Sequence, residues 1–126
     1  MSVLIAPAKA ALVFLIDGGG QAVTTGVKGY LRVPFNSVID RVTLAADQVG
    51  SIQVDIWKST YASFPPADAD SITGGNEPKI TATNKYEDAA LTGWGTSLSE
   101  GDILAFNVDS VTAITRVTVS LQVRKR

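Results

Sequence analysis

The stretch Ser51-Ile52-Gln53-Val54-Asp55-Ile56-Trp57-Lys58 alternates without a break. Ile52, Val54 and Ile56 fall on one side, and Gln53, Asp55 and Trp57 on the other. A strand turns successive side chains to opposite faces, so this period of two describes a strand with one face in a core and one toward solvent, the habit of antiparallel sheets. Upstream, Asp47-Gln48-Val49-Gly50 predicts a turn, with the glycine at a positive φ. Ile39 to Ala45 alternates again, Val42 and Leu44 against Arg41 and Thr43. From Lys28 to Phe35, Leu31, Val33 and Phe35 oppose Tyr30 and Arg32, and Pro34, lacking an amide donor, predicts an edge or an end there. Ala11 to Ile16 is a continuous apolar run that suits a buried strand or a short helical fragment, and Asp17-Gly18-Gly19-Gly20 closes it.

Downstream of Lys58, Tyr61, Phe64, Pro65 and Pro66 predict a loop too rigid for a central strand. Ser71 to Thr73 and Lys79 to Thr83 read as short strands flanking Gly74-Gly75-Asn76, and Tyr86 to Leu91 as a short helical turn. Leu98 to Asp102 is a polar turn. Ile103 to Val108 then alternates with Leu104, Phe106 and Val108 inward, and the last strand carries Val117, Val119, Leu121 and Val123 inward. Such strands, about seven or eight of them, separated by turns and with no long amphipathic helix, predict an all-β fold: an antiparallel β-sandwich, jelly-roll-like, with another Greek-key sandwich as the alternative. Strand order is not legible in the pattern. Residues 1–10, with Pro7 and small alanines, read as an N-terminal arm, and residues 11–126 as a single sandwich domain.

Composition narrows the function classes. A chain of 126 residues fits one domain with its own core. Charged residues make up 18%, against about 25% in ordinary domains, which leaves surface for packing on partners. The sequence has no cysteine, hence no disulfide and no zinc-thiolate site. It has no histidine, which removes the commonest general base, the Ser-His and Cys-His pairs and the commonest transition-metal ligand. A formal net charge of −1 gives no pull toward nucleic acid. The apolar stretch from Val3 to Ile16, broken by Pro7 and Lys9, is shorter than the roughly 20 residues of a membrane span and lacks the marks of a signal peptide.

The polar constellations have ordinary readings. The stretch from Asp17-Gly18-Gly19-Gly20 through Gly26 lacks a Gly-Lys-Ser/Thr ending and a following helix, so it reads as a strand connection and not a phosphate loop. Asp68, Asp70, Ser71, Asn76 and Glu77 offer oxygen ligands for calcium, but without the spacing of an EF-hand, and a solvated loop is the default. Glu87 with Asp88, and Glu100 with Asp102, are neighbours in sequence, which does not create the two-carboxylate cleft of a glycosidase. Arg124-Lys125-Arg126 reads as a solvated chain end. No catalytic, cofactor-binding or metal site is assigned.

Aromatic residues are the better lead. Trp57 lies opposite the apolar face of its strand, Tyr61 and Phe64 follow in the loop, and Trp94 sits between two glycines. Flat aromatic surfaces cap cores, supply rigid contact area at protein interfaces, and stack on sugar rings. All three roles stand open for Trp57, Tyr61, Phe64 and Trp94.

Three longer stretches carry a family resemblance: Gly26-Val27-Lys28-Gly29-Tyr30-Leu31-Arg32-Val33-Pro34-Phe35; Ala46 through Lys58 with Tyr61, Pro65 and Pro66; and Leu91-Thr92-Gly93-Trp94 with Gly101 through Val111 and Thr115-Arg116-Val117-Thr118. Together they resemble a β-sandwich module of tailed-bacteriophage virion proteins, found as small stand-alone proteins and as a domain of tail or fibre proteins. The resemblance spans residues 17–124 and carries no catalytic signature. It implies a non-enzymatic structural protein of the virion surface, either capsid decoration or cement or tail-associated, made in the bacterial host cytoplasm. Its partners would be other virion proteins and further copies of itself as a homo-oligomer, with no nucleic acid, membrane or cofactor. The alternative is a tail module that binds a receptor or a host surface glycan. The arm is expected to order on docking, so its deletion would weaken attachment while sparing the fold.

Overall fold

The structure is a computed structural model that describes residues 8–126. Seven antiparallel strands form one curled sheet: β1 (Lys9–Asp17), β2 (Gly26–Arg32), β3 (Ser37–Ser59), β4 (Lys79–Asp88), β5 (Ser97–Leu98), β6 (Ile103–Thr112) and β7 (Arg116–Lys125). A single 3₁₀ turn, Asp68–Asp70, is the one helical element among the described residues.

Two strands shared between layers organise the fold. β3 runs for 23 residues, pairing with β7 through Ser37–Ala46 and with β6 through Ser51–Ser59. β4 follows it along the other edge, from Val42↔Asp88 to Gln53↔Lys79. Each therefore belongs to two layers. One layer has the order β1-β7-β3-β4 and the other β2-β6-β3-β4, the strand order of a jelly roll whose two middle strands cross from one sheet to the other. The layers meet over Phe14 of β1 and Phe106 of β6, whose rings stack at 4.6 Å. Around them lie Ile39, Val42, Leu44, Ile52, Val54, Ile56, Leu104, Val108, Val117, Val119, Leu121 and Val123, all buried. The apolar faces expected for β3, β6 and β7 are the ones the core uses.

Local expectations are corrected at three places. Asp47 to Gly50 is not a turn: it lies within β3, at a shift in the pairing with β4. Gly50 does not have positive φ; it is needed because a Cβ there would sit 2.4 Å from the Thr112 carbonyl oxygen and 2.8 Å from Ile114 Cγ1. Tyr86 to Leu91 is not a helical turn, since Tyr86, Glu87 and Asp88 pair with Leu44, Thr43 and Val42. Ser71 to Thr73 is not a strand; it touches the sheet at one bridge, Trp57↔Ser71.

At the edges, β2 ends at Arg32, two residues before Pro34, and among the described residues pairs only with β6. The arm expected over residues 1–10 lies outside the described residues as far as residue 7; Lys9 and Ala10 open β1 in register with Arg124 and Val123 of β7.

Candidate functional site

The outer face of the β2-β6-β3 layer collects the chemistry. Cross-strand partners point to the same side of a sheet, so the register Tyr30↔Ala105↔Trp57 lays one row across three strands, on the face opposite Phe106 and Ile56. The next row holds Val27, Asn107 and Asp55. After β3 the chain folds back over this face. Phe64 meets Tyr30 edge to face, with ring centroids 4.8 Å apart, and Ala105 between Tyr30 and Trp57 is fully buried.

Asp55 pins that returning segment. It is only 3% exposed, and its carboxylate accepts from the Ile56 amide (2.8 Å), the Ser71 hydroxyl (2.7 Å), the Thr73 hydroxyl (2.9 Å) and the Trp57 indole N–H (3.0 Å). A buried carboxylate is tolerated when its lone pairs are occupied. Glu77 and Asp109 bring carboxylate oxygens within 4.8 Å of those of Asp55. Asp109, however, is occupied by the side-chain amides of Gln53 (3.1 Å) and Asn107 (2.7 Å). With these donors on both Asp55 and Asp109, no cation is assigned to the group.

The four aromatic residues singled out in the sequence divide into two pairs. Tyr61 is 79% exposed and Phe64 about half exposed, in one loop; Phe64 and Tyr30 form an outward aromatic pair, and Tyr61 stands exposed in the same loop as Phe64. Trp57 and Trp94 are partly buried. The Trp57 indole is tied to Asp55, and the Trp94 indole donates to the Asn76 carbonyl at 3.0 Å while its ring packs on the core. Tyr30 was not among the candidates, although its place opposite Leu31 and Val33 marked it as outward.

The other polar candidates serve local structure. Asp70 accepts from the Ala67 amide, and the Asn76 side chain donates to the Thr92 carbonyl, while Ser71 and Glu77 lie beside Asp55, so the calcium-loop residues do not converge as one set. Glu87 binds Arg41 (2.7 Å) and Thr43 (2.8 Å). The Thr43 hydroxyl, and then Arg41, hold its carboxyl below the ordinary range, the wrong direction for a general acid at neutral pH. Asp88 accepts from the Ala90 amide and Asp102 from the Ser99 amide, each closing a turn. The depressions on the surface are open and lined mainly by charged and polar side chains, among them Lys9, Arg41, Glu87 and Gln122 in one, and Gln53, Glu77, Lys79 and Asp88 in another. No helix among the described residues is long and apolar enough to cross a membrane.

No protein-family model matches the chain, and no curated protein matches it. Among solved structures, it is similar to the capsid asymmetric unit of cyanophage Pam1, with 14% identity over 100% of this chain and 91% of that one, at a TM-score of 0.41. It is similar to the SPBc2 prophage-derived protein YomS, with 14% identity over 98% of this chain and 100% of that one, at a TM-score of 0.39. It is also similar to part of the complex of the Aeromonas sobria serine protease with its chaperone, with 9% identity and a TM-score of 0.41; there it covers 98% of its own length but spans only 28% of the matched chain. Likenesses at TM-scores this low leave function to be read from the chain's own surface.

Proposed function

We propose that the chain is a non-enzymatic structural protein of a tailed-phage virion surface, a capsid decoration or cement protein or a tail-associated one, working through contacts with other virion proteins. The observation that carries this reading is the exposed pair of Phe64 and Tyr30, with Tyr61 exposed in the same loop as Phe64, on a sandwich with a continuous core. Aromatic residues fixed on a rigid frame give contact area at little entropic cost, and such residues dominate protein interfaces. The sequence resemblance to virion sandwich modules points the same way.

The test is gold-labelled antibody imaging of intact particles, with add-back of purified protein to particles that lack it. Label over the head supports decoration or cement, and label confined to the tail supports the tail-associated form. A Tyr61→Ala/Phe64→Ala double variant is expected to bind the particle at least about tenfold more weakly with its melting temperature kept, the loss typical of interface anchors. Absence of label on every particle overturns the reading.

A glycan-binding tail module is the second reading. One observation favours it: Gln53, Asn107 and Asp109 lie on the same outer face as Tyr30 and Trp57, so amide and carboxylate groups adjoin aromatic rings. Adsorption to host cells that drops in the double variant while particle occupancy is unchanged would move this reading to first place.

A further inference from the structure

β1 ends its layer, and its hydrogen bonding to β7 is visible at both ends. The Gly18 N–H donates to the Thr115 carbonyl and the Lys125 N–H to the Ala8 carbonyl, each at 2.8 Å, on the same register line as Lys9↔Arg124. In an antiparallel pair the residues that exchange hydrogen bonds alternate along the strand. The even-numbered residues of β1 therefore turn their backbone groups to β7. The odd-numbered ones, Lys9, Ala11, Val13, Leu15 and Asp17, turn theirs to the outer edge, where no described strand pairs. The same five residues place their side chains on the outer face, with Val13 52% and Leu15 51% exposed. The chain beyond Asp17 leaves toward β7, through Gly18 N–H to Thr115 and Val23 N–H to the Ile114 carbonyl (2.9 Å), and so does not cross that edge.

A long apolar edge is a template for another strand, and the order of these five residues specifies which one. We propose that β1 pairs antiparallel with β1 of a second copy of this chain, across a two-fold axis at Val13, joining the two β1-β7-β3-β4 layers into one continuous sheet. About that axis Val13 meets Val13, Ala11 meets Leu15, and Lys9 meets Asp17 of the other copy, so charges of opposite sign face each other at both ends of an apolar centre. Every facing pair is then of the kind that exchanges two backbone hydrogen bonds, since all five residues already point their N–H and C=O outward. A slide of two residues in either direction keeps the apolar row but puts a Lys9 or an Asp17 opposite an apolar residue, so the charges set the register. Lys9 shares its acidic partner with two other donors. Lys9 lies 3.5 Å from Asp40, which Arg124 at 3.5 Å and the Gln122 amide at 2.9 Å also serve, and Asp17 offers one oxygen to the Gly19 amide, the other having no partner among the described residues.

The inference stands on β1 alone. The isolated protein tests it, so its failure leaves the virion reading untouched. Sedimentation velocity over a concentration series is expected to show a monomer of 13.2 kDa in equilibrium with a species of twice that mass. Val13→Asp and Val13→Lys each set like charges face to face at the axis, and each is expected to be monomeric at every concentration. Mixed one to one they put opposite charges there, and the dimer is expected to return. Backbone amide exchange on the unmodified protein gives a readout that needs no variant: the amides of Ala11, Val13 and Leu15 gain protection as concentration rises, while those of Leu12 and Phe14 are protected throughout. A protein that stays monomeric to roughly 1 mM with those odd-numbered amides always fast overturns the proposal and leaves the edge to a strand of another protein. A dimer that survives Val13→Asp, or a closed trimer, overturns it as well.

Discussion

Gly50 sits where β3 passes under the end of β6, with the Thr112 carbonyl oxygen and Ile114 against the position a Cβ would take. Gly50→Ala inserts one methyl group into backbone, which cannot rotate aside, and is expected to cost about 1–3 kcal/mol in urea unfolding, as overpacking does. Two carboxylates tie stability to pH. Asp47 is held below its ordinary pKa by the Thr115 hydroxyl, and then by the Arg116 amide at 3.0 Å, and Glu87 by Thr43 and then Arg41. A depressed folded pKa contributes stability that is complete above the unfolded value and is lost as pH falls through the folded one. Stability is therefore expected to drop as pH falls through and below the ordinary carboxylate range, and an Asp47→Asn/Glu87→Gln variant is expected to start lower at neutral pH and lose less on acidification. A slope unchanged by the double substitution would contradict the assignment.

The segment after β3 adds polar contacts to the burial of Ile72 in the core. Asp55 gathers Trp57, Ser71 and Thr73, and Phe64 rests on Tyr30. Asp55→Ala leaves an indole N–H and two hydroxyls without their acceptor, an expected loss of about 3 kcal/mol. Amide exchange is the telling measurement, because residues 60–78 are expected to lose protection while β6 and β7 keep theirs. Uniform loss across the sandwich would mean that Asp55 supports the core and not the segment. The same element explains a misreading of the sequence: Ser71 and Thr73 alternate around Ile72 like a strand, yet their hydroxyls are taken by Asp55, and the backbone follows those bonds instead of a ladder.

On the scale of the molecule, the two layers are coupled through Phe14 and Phe106, both of which the alternation had turned inward or left in an apolar run. Phe106→Ala empties the centre of the sandwich and is expected to cost about 3–5 kcal/mol, with one cooperative transition because β3 and β4 belong to both layers. Two separable transitions would show that the layers fold independently. The alternation of Ile52, Val54 and Ile56, of Leu104, Phe106 and Val108, and of Val117 to Val123 determined the strands, their inward faces and the all-β class, because side-chain period and burial are local properties of a strand. The outward place of Trp57 was legible for the same reason. That Asp47 to Gly50 continues a strand, that Tyr86 to Asp88 pairs with β3, and that Tyr30 comes beneath Phe64 were decided only in three dimensions. Each depends on which distant segment lies alongside, and pairing between residues far apart in the chain leaves no period in either one.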